Sequence, residues 1–417
     1  MSRQKGVASL VLVVLCAVVI AACGSSSGSS SSSGGSTGGS GASTSAATSA
    51  SSGTGTSAGT GTSASGGSGG VAQAKQLVTQ EEQPPKFTGP TSKVDIAKAK
   101  GKSVYYVSLT EEIPALHEWG VILGQQLQAA GVKVQKCDAK GSPDGITTCL
   151  TQALAAKPDM IIAQALDTKF IASYIAKAKA QGIEFVTAQT GTPGVPTVPG
   201  DVAEVSFDYP QVGRILADWF VADSGCSKGG AQIITSTSSR QPSAAEVAGI
   251  QSEVAKLCPD LKMPSVQNVL IPDWPTKLST TTRSLLTADP NLNYLLPLYD
   301  GMTIYMVPAI NGILAAKDRV KVASFNATPV VIQNELAKPS PLAADVGGPN
   351  QWYGVALADQ ALRVLAGQHP VASENVPLRL FTRDNVSTID PSKDESTWYG
   401  SVNPICEYHK LWGLPCT

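Results

Sequence analysis

Along residues 101–390, short apolar runs alternate with longer segments whose apolar positions recur every three to four residues. Runs of four to seven apolar residues read as strands buried on both faces. The segments between them read as amphipathic helices, and the alternation predicts βαβ units around a parallel sheet. The first half predicts strands over 103–109, 132–136, 160–164 and 183–188, with helices over 115–130, 146–156 and 170–181. Gly131, Lys157-Pro158 and Gly182 close those helices. Residues 201–208 read as a short connection and 211–224 as a helix. The second half predicts strands over 231–235, 266–271, 294–298, 321–325 and 342–346, separated by helices over 244–257, 277–288, 302–315 and 329–337, with a last long helix over 351–366. Nine or ten strands exceed one comfortable sheet. The pattern therefore predicts an α/β protein of two doubly wound parallel-sheet lobes with a cleft between them.

The first 70 residues break this pattern. Arg3 and Lys5 precede an apolar stretch from Val7 to Ile20, the layout of a secretory signal peptide over residues 1–22. Ile20-Ala21-Ala22-Cys23 resembles a bacterial lipobox, which implies cleavage before Cys23 and a lipid on its thiol. An uncleaved signal anchor is the rival reading. Residues 24–70 hold 15 of the 40 glycines and no charged residue. Such a stretch has nothing to bury against its ordering entropy, so residues 23–70 read as a lipid-anchored Ser/Gly linker. Gly24-Ser25-Ser26-Ser27-Gly28 matches a hydrolase nucleophile pattern, but no strand precedes it and it carries no weight. Residues 71–100 read as an irregular lead-in broken by Pro84-Pro85 and Pro90. A net charge of −1 argues against a dedicated nucleic-acid binder.

In open α/β sheets ligands bind beyond the C-terminal ends of the strands. Those ends carry Thr110-Glu111-Glu112, Ala165–Asp167, Gln189-Thr190, Ser236–Pro242, Pro272-Asp273-Trp274, Tyr299-Asp300, Asn326 and Gly347–Asn350, and Trp352 follows at the start of the last long helix. Polar groups for hydroxyls beside flat rings for C–H faces are what a sugar needs.

The segments GKSVYYVSL, GQQLQAAGVKVQKCDA and PDMIIAQALDTKFIASYIAKAKAQGIEFVTAQT, with PDWPTKLSTTTRSLLTADPNLNYLLPLYDGM and VKVASFNATP, resemble the two lobes of a type I periplasmic binding protein of the ribose and galactose type. The resemblance covers roughly residues 101–390. It implies a hinge of three crossovers, flytrap closure on a small ligand, a sugar or polyol foremost, and delivery to the permease of an ABC transporter. It places the crossovers near Asp208, Gly348 and Val371–Glu374. The N-terminal lobe is then 101–208 plus 349–372, the C-terminal lobe 209–348 plus 373–390, and 391–417 a tail.

The family's contact positions carry over onto Trp274 (stacking aromatic), Tyr299-Asp300, Asn326, Gln189-Thr190 and Glu246, with His117, Glu118 and Trp119 nearest its first-lobe aromatic turn. Glu246 falls where the family has an arginine, and Glu111, Glu112 and Asp300 add further acid. The usual carboxylate–guanidinium clamp is largely missing, which leaves an aminated sugar or a non-sugar amine as alternative ligands. Trp274 fits equally as a helix cap packed on Pro272 and Pro275, Trp119 as core, Trp352 as hinge packing, and Glu246 as a solvated first-turn carboxylate.

After Cys16 in the signal and Cys23, six cysteines remain. The predicted elements bring Cys137 near Cys149, Cys226 near Cys258, and Cys406 near Cys416, so three local disulfides suit an oxidising exterior. No short paired spacing suggests zinc, and no phosphate or nucleotide motif follows a strand. The chain is expected to be a monomeric, non-enzymatic receptor without metal or cofactor, anchored to the outer face of a bacterial membrane by lipid alone. A ligand-sensing lipoprotein and a secreted enzyme are the competing functions. Trp398, Tyr399, Tyr408 and Trp412 are expected to pack the tail back onto a lobe.

Overall fold

Strands β1 (Ser103–Ser108), β3 (Met160–Gln164) and β4 (Glu184–Ala188) are apolar almost throughout and are buried on both faces. β2 (Lys133–Asp138) is polar and half-exposed, as an edge strand must be. With β5 (Ala203–Val205) they form a five-stranded parallel sheet in the order β2-β1-β3-β4-β5. A computed structural model describes residues 66–194, 198–227 and 230–416. The signal segment, Cys23 and the Ser/Gly stretch up to residue 65 lie outside the described residues.

Helices α2 (Pro114–Ala129), α3 (Pro143–Ala156) and α4 (Thr168–Ala180) connect the first four strands. Right-handed crossovers running in opposite directions across the sheet put α2 on one face and α3 with α4 on the other. α5 (Tyr209–Ser224) leads to a second sheet ordered β11-β10-β9-β8-β6-β7. Its strands are β6 (Gly230–Thr235), β7 (Ser265–Asn268), β8 (Leu292–Pro297), β9 (Lys321–Asn326), β10 (Leu342–Gly347) and β11 (Arg379–Thr382). Only β11 runs antiparallel to its neighbour. The connecting helices are α6 (Arg240–Leu257), α7 (Trp274–Ala288), α8 (Thr303–Asn311) and the short α9 (Pro329–Val331). α10 (Asn350–Leu365) leaves the second sheet and packs on α2 of the first. The two parallel lobes are those the hydrophobic pattern predicts.

Several elements differ from expectation. The lead-in over 71–100 is not wholly irregular: helix α1 (Gly66–Glu81) starts inside the Ser/Gly stretch and packs on α5 and α6. Gly70 permits this contact, because a Cβ there would sit 1.8 Å from the Leu257 carbonyl oxygen. The connection over 201–208 contains β5, a strand too short to show a period. α8 stops at Asn311 rather than 315, where Gly312 follows and Pro308 already weakens the helix. The segment 329–337 is one α turn followed by a π turn over Ile332–Leu336. β7 ends at Asn268, ahead of a 3-10 turn at Ile271–Asp273.

Both ends of the chain wrap the hinge. Glu82 is held on the second lobe, its carbonyl accepting from Arg379 Nε at 2.9 Å and its carboxylate from the Thr382 hydroxyl at 2.6 Å. Ten residues on, Ser92 accepts two hydrogen bonds from Arg363 of α10, both 2.8 Å, on the first lobe. The tail crosses as well. Trp398 packs edge-on against Phe381 of β11. Helix α11 (Pro404–Trp412) then lies on α10, where Trp412 Nε1 donates to Asp359 at 2.6 Å. The Tyr408 hydroxyl donates to Glu374 at 2.7 Å, within the last connection between the lobes. Disulfides Cys137–Cys149, Cys226–Cys258 and Cys406–Cys416 are all formed, as the predicted topology requires.

Trp412 is buried and satisfies Asp359, which is fully buried itself. Trp412→Ala leaves both a void and an orphaned carboxylate oxygen, and we expect a loss of about 3–5 kcal/mol in urea unfolding. A loss under about 1 kcal/mol would mean the tail is only a loose cover.

Candidate functional site

The C-terminal ends of β1, β3, β4, β8 and β9 converge between the lobes. Three residues at these ends, Ala165, Gln189 and Asn326, have φ of 58°, 59° and 129°, values that side-chain-bearing residues rarely adopt. All three line one cavity. Such strain persists only where surrounding structure fixes it, and its clustering marks this site. The chain turns sharply off each strand there, so that the Gln189 and Asn326 side chains face the space between the lobes.

Leu109, Ile113, Leu116 and Trp119 from the first lobe face Tyr209, Ile271, Tyr299 and Phe325 from the second across that cavity. Ser239 adds a hydroxyl. About 400 Å³ here is free of protein atoms, of which only about 30 Å³ admits the centre of a water molecule. The walls are therefore almost in contact. At the rim, Arg240 Nε donates to Asp167 at 3.0 Å and Gln241 Nε2 to the Thr168 hydroxyl at 2.6 Å, each bond joining one lobe to the other.

The expected site residues fall into three groups. Gln189, Tyr299 and Asn326 line the cavity. Gln189 is buried and neither of its amide atoms has a hydrogen-bond partner. The Tyr353 hydroxyl beside it donates to the Val205 carbonyl at 2.8 Å, and the Gln189 side chain lies close enough to favour ionisation of that phenol. The Tyr299 hydroxyl lies 2.9 Å from Ser243 Oγ.

A second group sits one layer behind. The Trp274 ring stacks on Tyr299 with centroids 6.3 Å apart, and its Nε1 donates to the Val269 carbonyl at 3.1 Å. Thr190 is committed to Glu204, with hydrogen bonds of 2.9 Å from its amide and 2.6 Å from its hydroxyl. Asp300 accepts from the Thr328 amide and hydroxyl at 2.7 and 2.6 Å. The Asn350 amide oxygen accepts from Trp119 Nε1 at 2.6 Å, and its backbone amide donates to Glu395. Glu246 is fully buried in the middle of α6 with both oxygens unpartnered, so it is not a solvated first-turn residue.

The third group is away from the cavity. Trp352 stacks on Phe87 of the lead-in, with centroids 5.4 Å apart and planes at 17°. Glu111 and His117 face each other at the surface, 2.9 Å apart, and Glu112 is exposed. Conversely, Trp119 both belongs to the core and lines the cavity. Tyr209 was absent from the sequence reading, while Ser239 and Arg240 fell within the strand-end segment 236–242 without being singled out. α6 begins at Arg240 rather than Ala244, because Pro242 occupies its first turn, where proline is tolerated. That shift brings an arginine to the helix start and Glu246 into its interior.

The surrounding charges are one-sided. Burial holds the Glu246 carboxyl well above the usual carboxylate range. Glu118, Asp300 and Glu335 are each raised to about 7, chiefly by burial. Asp345 and Glu395 are raised by burial too, reinforced by Asp300 and by Glu118 respectively. Among the described residues, no group of three or more metal-capable side chains is arranged to hold an ion.

Residues 117–369 match the family model described as a periplasmic binding protein domain. No curated protein sequence matches the chain. Three solved structures illustrate the fold. One is an ABC transporter solute-binding protein from Agrobacterium vitis with bound allitol: TM-score 0.62, 19% identity, covering 70% of this chain and 98% of that one. A 5-methylthioribose transporter solute-binding protein from Thermotoga lettingae gives 0.64 at 18% identity, covering 79% and 98%. A Caulobacter myo-inositol binding protein gives 0.58 at 22% identity, covering 69% and 96%.

The raised carboxyls set the pH dependence of stability. A group whose folded pKa exceeds its unfolded value contributes fully below the unfolded value, near 4, and loses that contribution as pH rises through the folded one. Glu118, Asp300 and Glu335 place that loss between about pH 4 and about 7. We expect unfolding free energy to fall by at least about 2 kcal/mol from pH 5 to pH 8, and Asp300→Asn to flatten part of the slope. Stability that rises over this interval would contradict the burial argument.

Proposed function

The chain belongs to the periplasmic binding protein domain family, and from that membership we propose that it is an extracytoplasmic receptor that captures a small sugar or polyol between its lobes and delivers it to an ABC importer. The observation that carries this reading is the cavity at the strand ends, walled by both lobes and closed at the rim by Arg240–Asp167 and Gln241–Thr168. A ligand there touches both lobes at once, so its binding energy favours the closed arrangement over the open one. Gln189, Tyr299 and Asn326, joined by Trp119, Tyr209 and Ser239, form the contact surface. The relatives named for allitol, 5-methylthioribose and myo-inositol support a polyol-sized ligand.

The same reading assigns 101–208 with 349–372 to one lobe and 209–348 with 373–390 to the other, the chain acting as a monomer. Residues 1–22 serve as the signal peptide, and Cys23 carries the lipid that anchors the receptor. No helix among the described residues is long and apolar enough to cross a membrane. Family members are substrate-binding transport proteins, and the site offers recognition groups rather than a nucleophile poised beside a base.

A thermal-shift panel of pentoses, hexoses, polyols and amino sugars tests the receptor reading. A ligand at 100 times its Kd should stabilise the protein by roughly 2.7 kcal/mol. No shift with any of them would remove the sugar and polyol reading. For the anchor, metabolic labelling with a radioactive fatty acid should mark the wild-type protein and not Cys23→Ser. Equal labelling of both would place the lipid elsewhere.

A further inference from the structure

We propose that the preferred ligand has few hydrogen-bonding groups on an otherwise apolar body: a deoxy, O-alkyl or S-alkyl derivative of a sugar or polyol rather than a fully hydroxylated one. This rests on the receptor reading above and narrows its ligand class. The inference comes from the chemistry of the walls. Leu109, Ile113, Leu116, Ile271 and Phe325 present hydrocarbon, and none of the described residues lining the cavity carries a charge. The Arg240 guanidinium, beside Ser239 of the lining, is held at the rim by Asp167. Nothing in the cavity therefore reads a pair of hydroxyls through charged, bidentate contacts.

The polar groups that remain are few: the side chains of Gln189, Asn326 and Ser239 and the hydroxyls of Tyr209 and Tyr299. Gln189 offers a free donor and a free acceptor, both buried, which together match one adjacent donor–acceptor pair on a ligand. Asn326 and Ser239 add two more groups, while the Tyr299 hydroxyl is already engaged with Ser243. A hexopyranose brings five hydroxyls. Each one buried without a partner would cost about five- to 150-fold in affinity. Replacing such a hydroxyl by hydrogen or capping it with methyl removes that penalty, and each added methylene gains about fourfold against the aliphatic wall.

The polar groups are divided between the lobes. Gln189 stands on the first lobe, Asn326 and Ser239 on the second. A ligand that satisfies them must therefore hold both lobes. One lacking a partner for Gln189 could fill the apolar space yet leave that amide buried and unpaired.

Calorimetric titration of the full-length protein with two matched pairs tests this: D-galactose against 6-deoxy-D-galactose, and D-ribose against 5-methylthio-D-ribose. The substituted member of at least one pair should bind at least tenfold more tightly than its parent. Gln189→Asn, a residue that tolerates positive φ, should weaken that binding at least fivefold while the unliganded melting temperature stays within a few degrees. Should the variant fail to fold, the matched pairs on the unmodified protein still decide. Parents that bind as tightly as their derivatives overturn the inference and leave the receptor reading standing. Binding by no member of either pair also overturns it, and the wider panel of sugars and polyols then shows whether the receptor reading falls too.

Discussion

The two lobes are joined around a column of aromatic rings, and the placement of everything else depends on it. Trp119 of α2 lies 4.6 Å from Tyr353 of α10, Tyr353 lies 5.0 Å from Phe207 on the first connection, and Phe207 lies 5.4 Å from Phe325 on β9 of the second lobe. The rings run from one lobe through the hinge into the other, and Trp119 and Phe325 at its two ends also wall the cavity. Gly348 on the second connection lets the column form. A Cβ there would stand 2.7 Å from the Phe207 ring and 3.1 Å from the Phe325 ring. Packing of this density does not deform gradually, so the hinge fixes the distance between the facing walls of the site.

Around that apolar axis the molecule buries carboxyls with few cations to match. Asp359 has Arg363 at 2.5 Å and Trp412 as partners, and the nearby Glu374 is raised by burial and by Asp359. On the other side, Asp300, Asp345 and Glu395 lie around Tyr399, with the buried Arg379 guanidinium as the opposing charge. A buried carboxylate without a partner is costly, whereas a buried carboxylic acid is an acceptable hydrogen-bonding group. These groups therefore act as neutral polar fillers under mildly acidic conditions and become liabilities as they ionise. The acid noted along the strand ends in the sequence is real, but it lies behind the site rather than in it. That position removes most of the case for an amine clamp at the cavity wall.

Strand and helix positions were legible because a parallel sheet buries its strands on both faces and so writes them as unbroken apolar runs. Met160–Gln164 is the clearest case. Residues whose structure depends on partners far away in sequence were not legible. α1 begins in glycine and serine, has little helix propensity at that end, and is held by packing on α5 and α6. β11 has four residues, and its place is set by antiparallel pairing with β10. The site shows the same division. Gln189, Tyr299 and Asn326 were readable as strand ends. Trp352 was readable as hinge packing or ligand contact, but its partner Phe87 was not, because it comes from a lead-in that looked unstructured. Arg240 stood in the strand-end segment 236–242, but its place at a helix start was hidden by a proline that breaks helices in their interiors and is tolerated in their first turns.

How the lobes can part follows from where they are joined. Five spans cross on the hinge side: the three connections after β5, β10 and α10, the lead-in between Glu82 and Ser92, and the tail between Trp398 and α11. Each is pinned at both ends by buried or part-buried hydrogen bonds and rings. Among the described residues the rim is bridged by the hydrogen bonds Arg240–Asp167 and Gln241–Thr168, and Arg240 is half-exposed, so its pair contributes at most about 1 kcal/mol. Resistance to separation is thus concentrated on one side, and the least costly motion is rotation that opens the rim while the aromatic column stays packed. Since only about 30 Å³ of the cavity admits a water centre, a ligand cannot enter without that rotation. Under the proposed function, closure would bring Gln189 to the ligand from one lobe and Asn326 and Ser239 from the other. The hydrogen bonds that distinguish one ligand from another would then be completed only at the end of the motion, making recognition and closure one event.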